Sequence, residues 1–343
     1  MNINEGYSIL EILSSTFIYL DPINMPIISV IMAIYNEPIA WIKASVESIL
    51  NQTFKDFEFI IINDNPSRKE NQLILEELKH QDSRLLTINN EQNIGLTKSL
   101  NKAISLCSGE FIARMDSDDI SLPHRFRTQY NLLIASGAEI CWSAFSTINR
   151  DGHIIKQYKN NPDLSQLVVF NVIAHPTVMF RRSILALRTP IYNELYKRSQ
   201  DYELWTFLNI KHVKFVNSTN ILLLYRQTEN QITHLHAHEQ LSCFKRIRMS
   251  YITNYLFDKN ISLDISNLSQ AIIDIDNYLN SHKQFDETLL NIRYLLYLNI
   301  SRKRLIYVWR YISKPSLYCT IKSHIKILIL NSIMRNKYPL FIL

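Results

Sequence analysis

"GEFIARMDSDDISLPHRFRTQ", residues 109–129, decides how the chain is read. The apolar run Glu110–Met115 has the look of a buried strand and stops abruptly at Asp116-Ser117-Asp118-Asp119. Three carboxylates in four residues repel one another and resist leaving water, so something must hold them together. Alternate residues at a strand end point the same way, which predicts that Asp116 and Asp118 face one object while Asp119 faces elsewhere. Oxygen donors at that spacing suit a hard divalent cation, Mn²⁺ or Mg²⁺. One or two carboxylates leave most of its coordination positions for water and phosphate oxygens.

Working outward, three further apolar runs precede this one: "IISVIMAI" (27–34), "FEFIII" (57–62) and "RLLTI" (84–88). Helical segments are expected between them. One opens at Pro38 and runs to about Asn51; another spans Lys69–His80 with Leu73, Leu75 and Leu78 on its apolar face; a third runs from Leu96 to Cys107. Strand and helix alternating every 25–30 residues, roughly, is the pattern of a parallel sheet with right-handed crossovers. Such a sheet carries the carboxyl ends of its strands on one edge, where ligands bind. Those ends read "YNE" (35–37), "NDN" (63–65), "NEQN" (90–93) and "DSDD" (116–119). Any single end could be a solvated turn, but four together predict one polar, anionic cleft.

Downstream, a helix is expected from Leu122 to Ser136, capped by Ser121 and stopped by Gly137, then a hairpin at Asp151-Gly152. "HPTVMF" reads as a strand, "QDYELWTFLNI" as an amphipathic helix, and "VKFVN" and "ILLLYR" as two short strands. From about Thr233 the pattern is helical. The fold class is therefore α/β: a Rossmann-like, mostly parallel mixed sheet flanked by helices, with a helical C-terminal module. The expected division is an extension over 1–25, an α/β domain over 26–232 and a helical, basic module over 233–343.

Composition narrows the function. The 343 residues are 47% hydrophobic and 20% charged, ordinary for a globular chain. With five glycines and neither G-x-G-x-x-G nor G-K-S/T, the dinucleotide fingerprint and the P-loop are excluded. Cys107, Cys141, Cys243 and Cys319 are widely spaced, as thiols in a reducing compartment would be. The first 21 residues carry Glu5, Glu11 and Asp21 and lack the basic start of a signal peptide, so a cytoplasmic location is expected.

The charge is uneven. From Ser301 onward there are nine basic and no acidic residues, leaving 28 basic against 31 acidic before it. That tail interleaves Lys and Arg with aromatic and aliphatic residues, but no apolar run reaches the roughly 18 residues of a membrane span. Two readings stay open: peripheral contact with the inner face of the cytoplasmic membrane, or a terminal helical hairpin docked on the protein. Nucleic acid is not an expected partner, because the basic face is heavily apolar.

"ISVIMAIYNE", "FEFIIINDN", "NEQNIGLTKSLNKAISLCSGEFIARMDSDDISLPHRFRTQ" and "SQDYELW" together resemble, in order and spacing, the bacterial family 2 glycosyltransferases of GT-A fold. The resemblance covers about residues 27–230. It implies an inverting, metal-dependent hexosyl transfer from a nucleotide-sugar, by family habit a UDP-sugar, to a glycan or lipid-linked glycan in capsule or lipopolysaccharide synthesis. By that resemblance Tyr35 and Glu37 flank the nucleobase and Asp64 contacts uracil or ribose. Asn93, Gly95 and Lys98 line the nucleotide wall, Arg114 supports the carboxylates or phosphates, Asp116 contacts ribose or metal-bound water, and Asp118 ligates the metal. Asp201 is the general base, where Gln200 replaces the family's usual Glu. His175 and Arg226 belong to the acceptor or phosphate side. "NDN" departs from the usual Asp-Asp-Gly-Ser, which bears on nucleotide preference.

Two other classes would draw on the same residues. In an Asp-based phosphotransferase the Asp-x-Asp pair follows the first strand of its domain, whereas here it follows the fourth. A glycosyltransferase fold that has become a sugar-binding scaffold would not need both Asp118 and Asp201. "HLHAH" (234–238) lacks the adjacent carboxylate of H-E-x-x-H, and no zinc site is expected there.

Overall fold

The structure is a computed structural model that describes residues 25–159, 163–227, 237–282 and 286–300. Its centre is a nine-stranded mixed sheet. The first half alternates as expected: β1 (Ile28–Ile34), α1 (Ile39–Leu50), β2 (Phe57–Asn63), α2 (Lys69–Gln81), β3 (Leu85–Asn89), α3 (Leu96–Ser105) and β4 (Phe111–Arg114). β5 (Ile120–Ser121), α4 (Arg125–Ser136), β6 (Ile140–Ile148), β7 (Ile154–Tyr158), β8 (Met179–Arg181), α5 (Gln200–Ile210) and β9 (Phe215–Arg226) complete this part. The strand order is β3-β2-β1-β4-β8-β6-β9-β5, with β7 added on β6. β1 to β4 are mutually parallel, β8 is antiparallel to both β4 and β6, and β9 is parallel to β6.

The strand sequences explain why helices cover both faces. β1 and β2 are almost uninterruptedly apolar, as strands buried on two sides must be. Their alternate residues supply two separate cores. Ile28, Val30, Met32, Phe59 and Ile61 pack with Ile42, Val46 and Ile49 of α1, Ile74, Leu75 and Leu78 of α2, and Phe126 of α4. Ile31, Ile60 and Ile62 pack on the other face with Leu100 and Ala103 of α3 and with Trp205 and Leu208 of α5.

Five local expectations are revised. Leu73 is 66% exposed, because the buried stripe of α2 is Asn71, Ile74, Leu75, Leu78, an i, i+3, i+4, i+7 set that leaves Leu73 outside. Ser121 is a strand residue, paired opposite Leu223, and does not cap a helix. α4 starts at Arg125 because Leu122 precedes Pro123, which disfavours helical backbone at Leu122. "HPTVMF" divides into a 3₁₀ turn at His175–Thr177 and β8. The two short strands are one, β9: the polar Ser218-Thr219-Asn220 step that reads as a break is a bulge, since Ser143 pairs with Ser218 and Ala144 with Ile221.

α6 (Ala237–Asp258), α7 (Leu268–His282) and α8 (Glu287–Ile300) form the helical region. They pack onto the sheet domain through its own core: Phe244 stacks on Tyr202 with centroids 4.5 Å apart, and Tyr251 Oη donates to Asn209 Oδ1 at 2.7 Å. Asn291 Nδ2 donates to the Ser165 carbonyl at 3.2 Å. Among the described residues no helix is long and apolar enough to cross a membrane. Residues 1–24, the basic segment from Ser301 onward, and His234 and His236 lie outside the described residues.

One close approach gives a stability prediction. Gly109 enters β4 against β1, and a Cβ there would stand 2.7 Å from the Ser29 nitrogen and 2.9 Å from the Ile28 carbonyl carbon. Neither backbone atom can yield without parting the strands. Gly109→Ala is therefore expected to destabilise the fold by about 1–3 kcal/mol, read from the midpoint of chemical denaturation.

Candidate active site

The acidic loop is positioned by side chains from two elements. Along one face of α1, Ser45 Oγ donates to the Asp116 carbonyl at 2.7 Å and Ser48 Oγ accepts from the Ser121 nitrogen at 3.0 Å. Gln52 Nε2 then reaches Ser121 Oγ at 3.1 Å and the Leu122 carbonyl at 2.8 Å. From β9, the Arg226 nitrogen donates to Asp119 Oδ1 at 2.8 Å, and Arg226 Nε donates to the Asp118 carbonyl at 2.8 Å. Ser45, Ser48 and Gln52 were not singled out in the sequence. Their signal is Ser45 and Ser48 at i and i+3 on a helix face that is otherwise apolar, with Gln52 at i+7 just past the helix end.

Within this frame Asp116, Asp118 and Asp119 each offer a carboxylate oxygen, and these oxygens lie within 4.8 Å of one another. Asp119 thus joins the cluster, against the expectation that it turns away. The reason is local: the Asp119 nitrogen bonds back to the Asp116 carbonyl at 3.4 Å, so the quartet is a turn and strand alternation no longer governs it. Beneath the turn the buried Arg114 guanidinium pairs with Asp116. Burial opposes the Arg114 charge, but Asp116, Tyr192 and Asp119 outweigh it and its pKa is raised.

One arginine does not neutralise this group. Burial, then the charges of Asp116 and Glu37, push Asp118 up to about 7. Burial and the charges of Asp118 and Asp116 push Asp119 well above the carboxylate range. Glu37, which follows β1 and lies beside the turn, is raised by burial and in part by Asp116. Asp119 Oδ2 is buried and accepts no hydrogen bond. Three converging hard oxygen donors, one of them buried and unsatisfied, fit a divalent cation.

The other strand ends line the same cleft. Tyr35 is 42% exposed, its nitrogen bonded to Glu37 Oε2 at 2.8 Å and its carbonyl to Asn71 Nδ2 at 2.8 Å. Asp64 is buried and committed to the protein. Oδ1 accepts from Asn90 Nδ2 at 2.8 Å and from the Ile94 nitrogen at 2.8 Å, and Oδ2 accepts from the Gly95 nitrogen at 2.9 Å. Lys102 Nζ fixes Asn90 in turn, at 2.8 Å. Asp64 therefore shapes the loop that presents Asn93, and a contact with base or ribose has only its remaining lone pairs to use. Gly95 has φ +83° where α3 begins, which permits that loop. Asn93 and Lys98 are exposed on the rim.

Asp201 opens α5, which the sequence placed correctly. Its Oδ2 accepts from Asn171 Nδ2 at 2.8 Å, and Asn171 Oδ1 accepts from the Ile173 nitrogen at 3.3 Å. Burial raises the Asp201 pKa, against the Tyr202 N–H, the Arg114 charge and Asn171. Arg114 thus acts electrostatically on both the acidic turn and Asp201. Ser199 holds the N-cap position with φ 58° and makes no side-chain cap. Removing Asn171 (Asn171→Ala) is expected to lower kcat about tenfold with the donor KM unchanged, as loss of one hydrogen bond to a charged group predicts; steady-state kinetics measures it.

His175 and Arg226 are both engaged inside the protein. His175 is 7% exposed, with Nε2 2.7 Å from Tyr192 Oη and its ring edge-on to Trp205 at 6.0 Å. Burial and the Arg114 charge keep it neutral. Arg226 Nη1 donates to the carbonyls of Asn149 at 2.9 Å and Arg150 at 2.8 Å, and the guanidinium lies 4.7 Å from the Trp41 ring centroid. In this arrangement Arg226 ties the acidic turn to the β6–β7 hairpin.

A mixed sheet of this order, with an acidic turn after its fourth strand, defines a GT-A-type glycosyltransferase fold. The chain belongs to glycosyl transferase family 2, whose sequence profile matches residues 29–205. It is 34% identical over 246 residues to the O-antigen biosynthesis glycosyltransferase WbnJ of Escherichia coli, covering 68% of this chain and 93% of that one. It is 27% identical over 209 residues to the Escherichia coli UDP-Glc:alpha-D-GlcNAc-diphosphoundecaprenol beta-1,3-glucosyltransferase WfgD, covering 60% and 79%. Among solved structures it is similar to residues 1–349 of S. aureus TarS in complex with UDP, with a TM-score of 0.53 at 17% identity, covering 78% of this chain and 80% of that one. Against longer TarS the chain spans 52% of the length.

Proposed function

We propose that the protein is an inverting, divalent-cation-dependent glycosyltransferase that moves a hexose from a UDP-sugar to a hydroxyl of a lipid-linked glycan in surface polysaccharide synthesis. The convergence of Asp116, Asp118 and Asp119 in one turn carries this reading. Asp118 and Asp116 would hold Mn²⁺ or Mg²⁺, with Asp119 beside them. When bound, the cation neutralises the carboxylates and the donor's diphosphate, stabilising the charge on the leaving nucleotide.

The chain's own residues do the rest. Tyr35 offers a ring for the base to stack on, and Glu37, Asn93, Gly95 and Lys98 line the donor side, with Asp64 setting the loop. Arg114 holds Asp116 in place and lends positive potential beneath the phosphates. Asp201, fixed by Asn171, takes the proton from the acceptor hydroxyl as that oxygen attacks the anomeric carbon. One displacement inverts the configuration. His175 props the wall beside Tyr192 and Trp205, and Arg226 positions the acidic turn.

The UDP-sugar and lipid-linked acceptor are drawn from WfgD's name and from TarS, which has been solved in complex with UDP and with UDP-GlcNAc. The 26–232 and 233–343 division, and membrane contact by the basic tail, belong to the same proposal. A panel of nucleotide-sugars, incubated with Mn²⁺ and a diphospholipid-linked N-acetylhexosamine, tests it. Transfer from a UDP-sugar, with the product anomer inverted by NMR, is expected; retention of configuration would overturn the mechanism.

A further inference from the structure

The β6–β7 hairpin is not used by the chemistry above, and its surface is unusual. β6 pairs with β8 only at Ile140 and Cys141; beyond them its outer half, Phe145–Ile148, is paired with β7. Residues 150–157 are all exposed, and Ile154 and Ile155 are 56% and 57% exposed. Among the described residues they are the only consecutive pair of large apolar side chains so exposed. Arg150, Lys156 and Lys159 surround them, with Asp151 the one carboxylate and His153 at the tip.

The form of the strand says what such a surface can meet. The register jumps between Ile148↔Ile154 and Thr147↔Lys156, so Ile155 is an extra, bulged residue. A bulge and an edge lysine are the devices that keep a sheet edge from pairing with another strand. Two exposed isoleucines on an edge barred from pairing suit an apolar medium that needs no backbone hydrogen bonds, and three cations against one carboxylate suit anionic headgroups. We propose that the 149–159 hairpin dips into an anionic lipid surface, independently of the segment after Ser301. Arg226 links the two places: it bonds the Asn149 and Arg150 carbonyls of the hairpin and the Asp118 carbonyl of the acidic turn. Contact at the hairpin thus sets the cleft beside the lipid surface.

The test reads the hairpin itself, so that binding by any other segment cannot imitate it. In a full-length chain carrying Cys243→Ser and Cys319→Ser, Ile155→Cys is labelled with an environment-sensitive NBD dye; Cys107 and Cys141 are buried. Leu73→Cys, on the outer face of α2, is the control. With vesicles of mixed phosphatidylglycerol and phosphatidylcholine the dye at 155 shifts to the blue and brightens while the dye at 73 does not. Adding Lys156→Glu and Lys159→Glu raises the lipid concentration for half the response at least about tenfold. Nucleotide-sugar hydrolysis by that variant in the absence of lipid is unchanged. A silent dye at 155 while the protein floats with the vesicles would overturn the proposal. So would a dye that responds to protein concentration without lipid, because the hairpin would then cover a second copy. Neither outcome touches the assignment of Asp118 or Asp201.

Discussion

Asp201→Asn is expected to lower kcat by about 10²–10⁴-fold and to leave UDP affinity within about twofold. An amide keeps the shape and can still bond to Asn171, but it cannot take a proton from the acceptor hydroxyl. The effect should therefore fall on turnover and spare the donor KM. The pH profile gives an independent check. Burial raises the Asp201 pKa, and the working form is the carboxylate, so kcat/KM falls as pH drops through that raised value. The acid limb of the wild-type profile is then displaced upward from the ordinary carboxylate range. In Asp201→Asn the limb disappears along with the activity. Full turnover in this variant would remove the base assignment.

Asp118→Asn is expected to lower transfer by about 10²–10³-fold, and chelation of divalent cations should inactivate the wild-type enzyme to the same level. The size follows from the proposed role, stabilising the charge that appears on the departing diphosphate. The two losses should not add, since both remove one bound cation. Protons compete for the same oxygens. Asp118 is pushed up to about 7, chiefly by burial, so cation affinity should strengthen as pH rises through that value and weaken below it. A calorimetric titration of Mn²⁺ at several pH values measures the slope.

Much of the fold was legible because its strands are written in the plainest terms. β1 and β2 are near-continuous apolar runs that lead into Asn and a carboxylate, and α5 begins and ends where its periodicity says. The acidic turn was found for the same reason, since charge abutting a buried strand is conspicuous. What was missed depends on contacts far apart in the chain. Asn171 lies 30 residues from Asp201, and Gln52 about 70 from the loop it braces. No local pattern joins such pairs.

Local rules also stop where the chain changes its structure. Asp119 was sent the wrong way by strand alternation, which stops where the chain turns. Ser121 looked like a cap because a helical pattern followed, but Pro123 delays the helix and β9 takes Ser121 as a partner. Asp64 adds a role that its residue type does not announce: besides standing at a strand end in the cleft, it anchors the neighbouring loop through three hydrogen bonds.

The most direct measurement is calorimetric titration of UDP into the protein, first with Mn²⁺ present and then with the ion chelated. A cation bridging Asp118 and the diphosphate requires tight binding in the first case, its loss in the second, and loss in Asp118→Asn even with Mn²⁺ present. Equal UDP affinity with and without the ion would contradict that bridge.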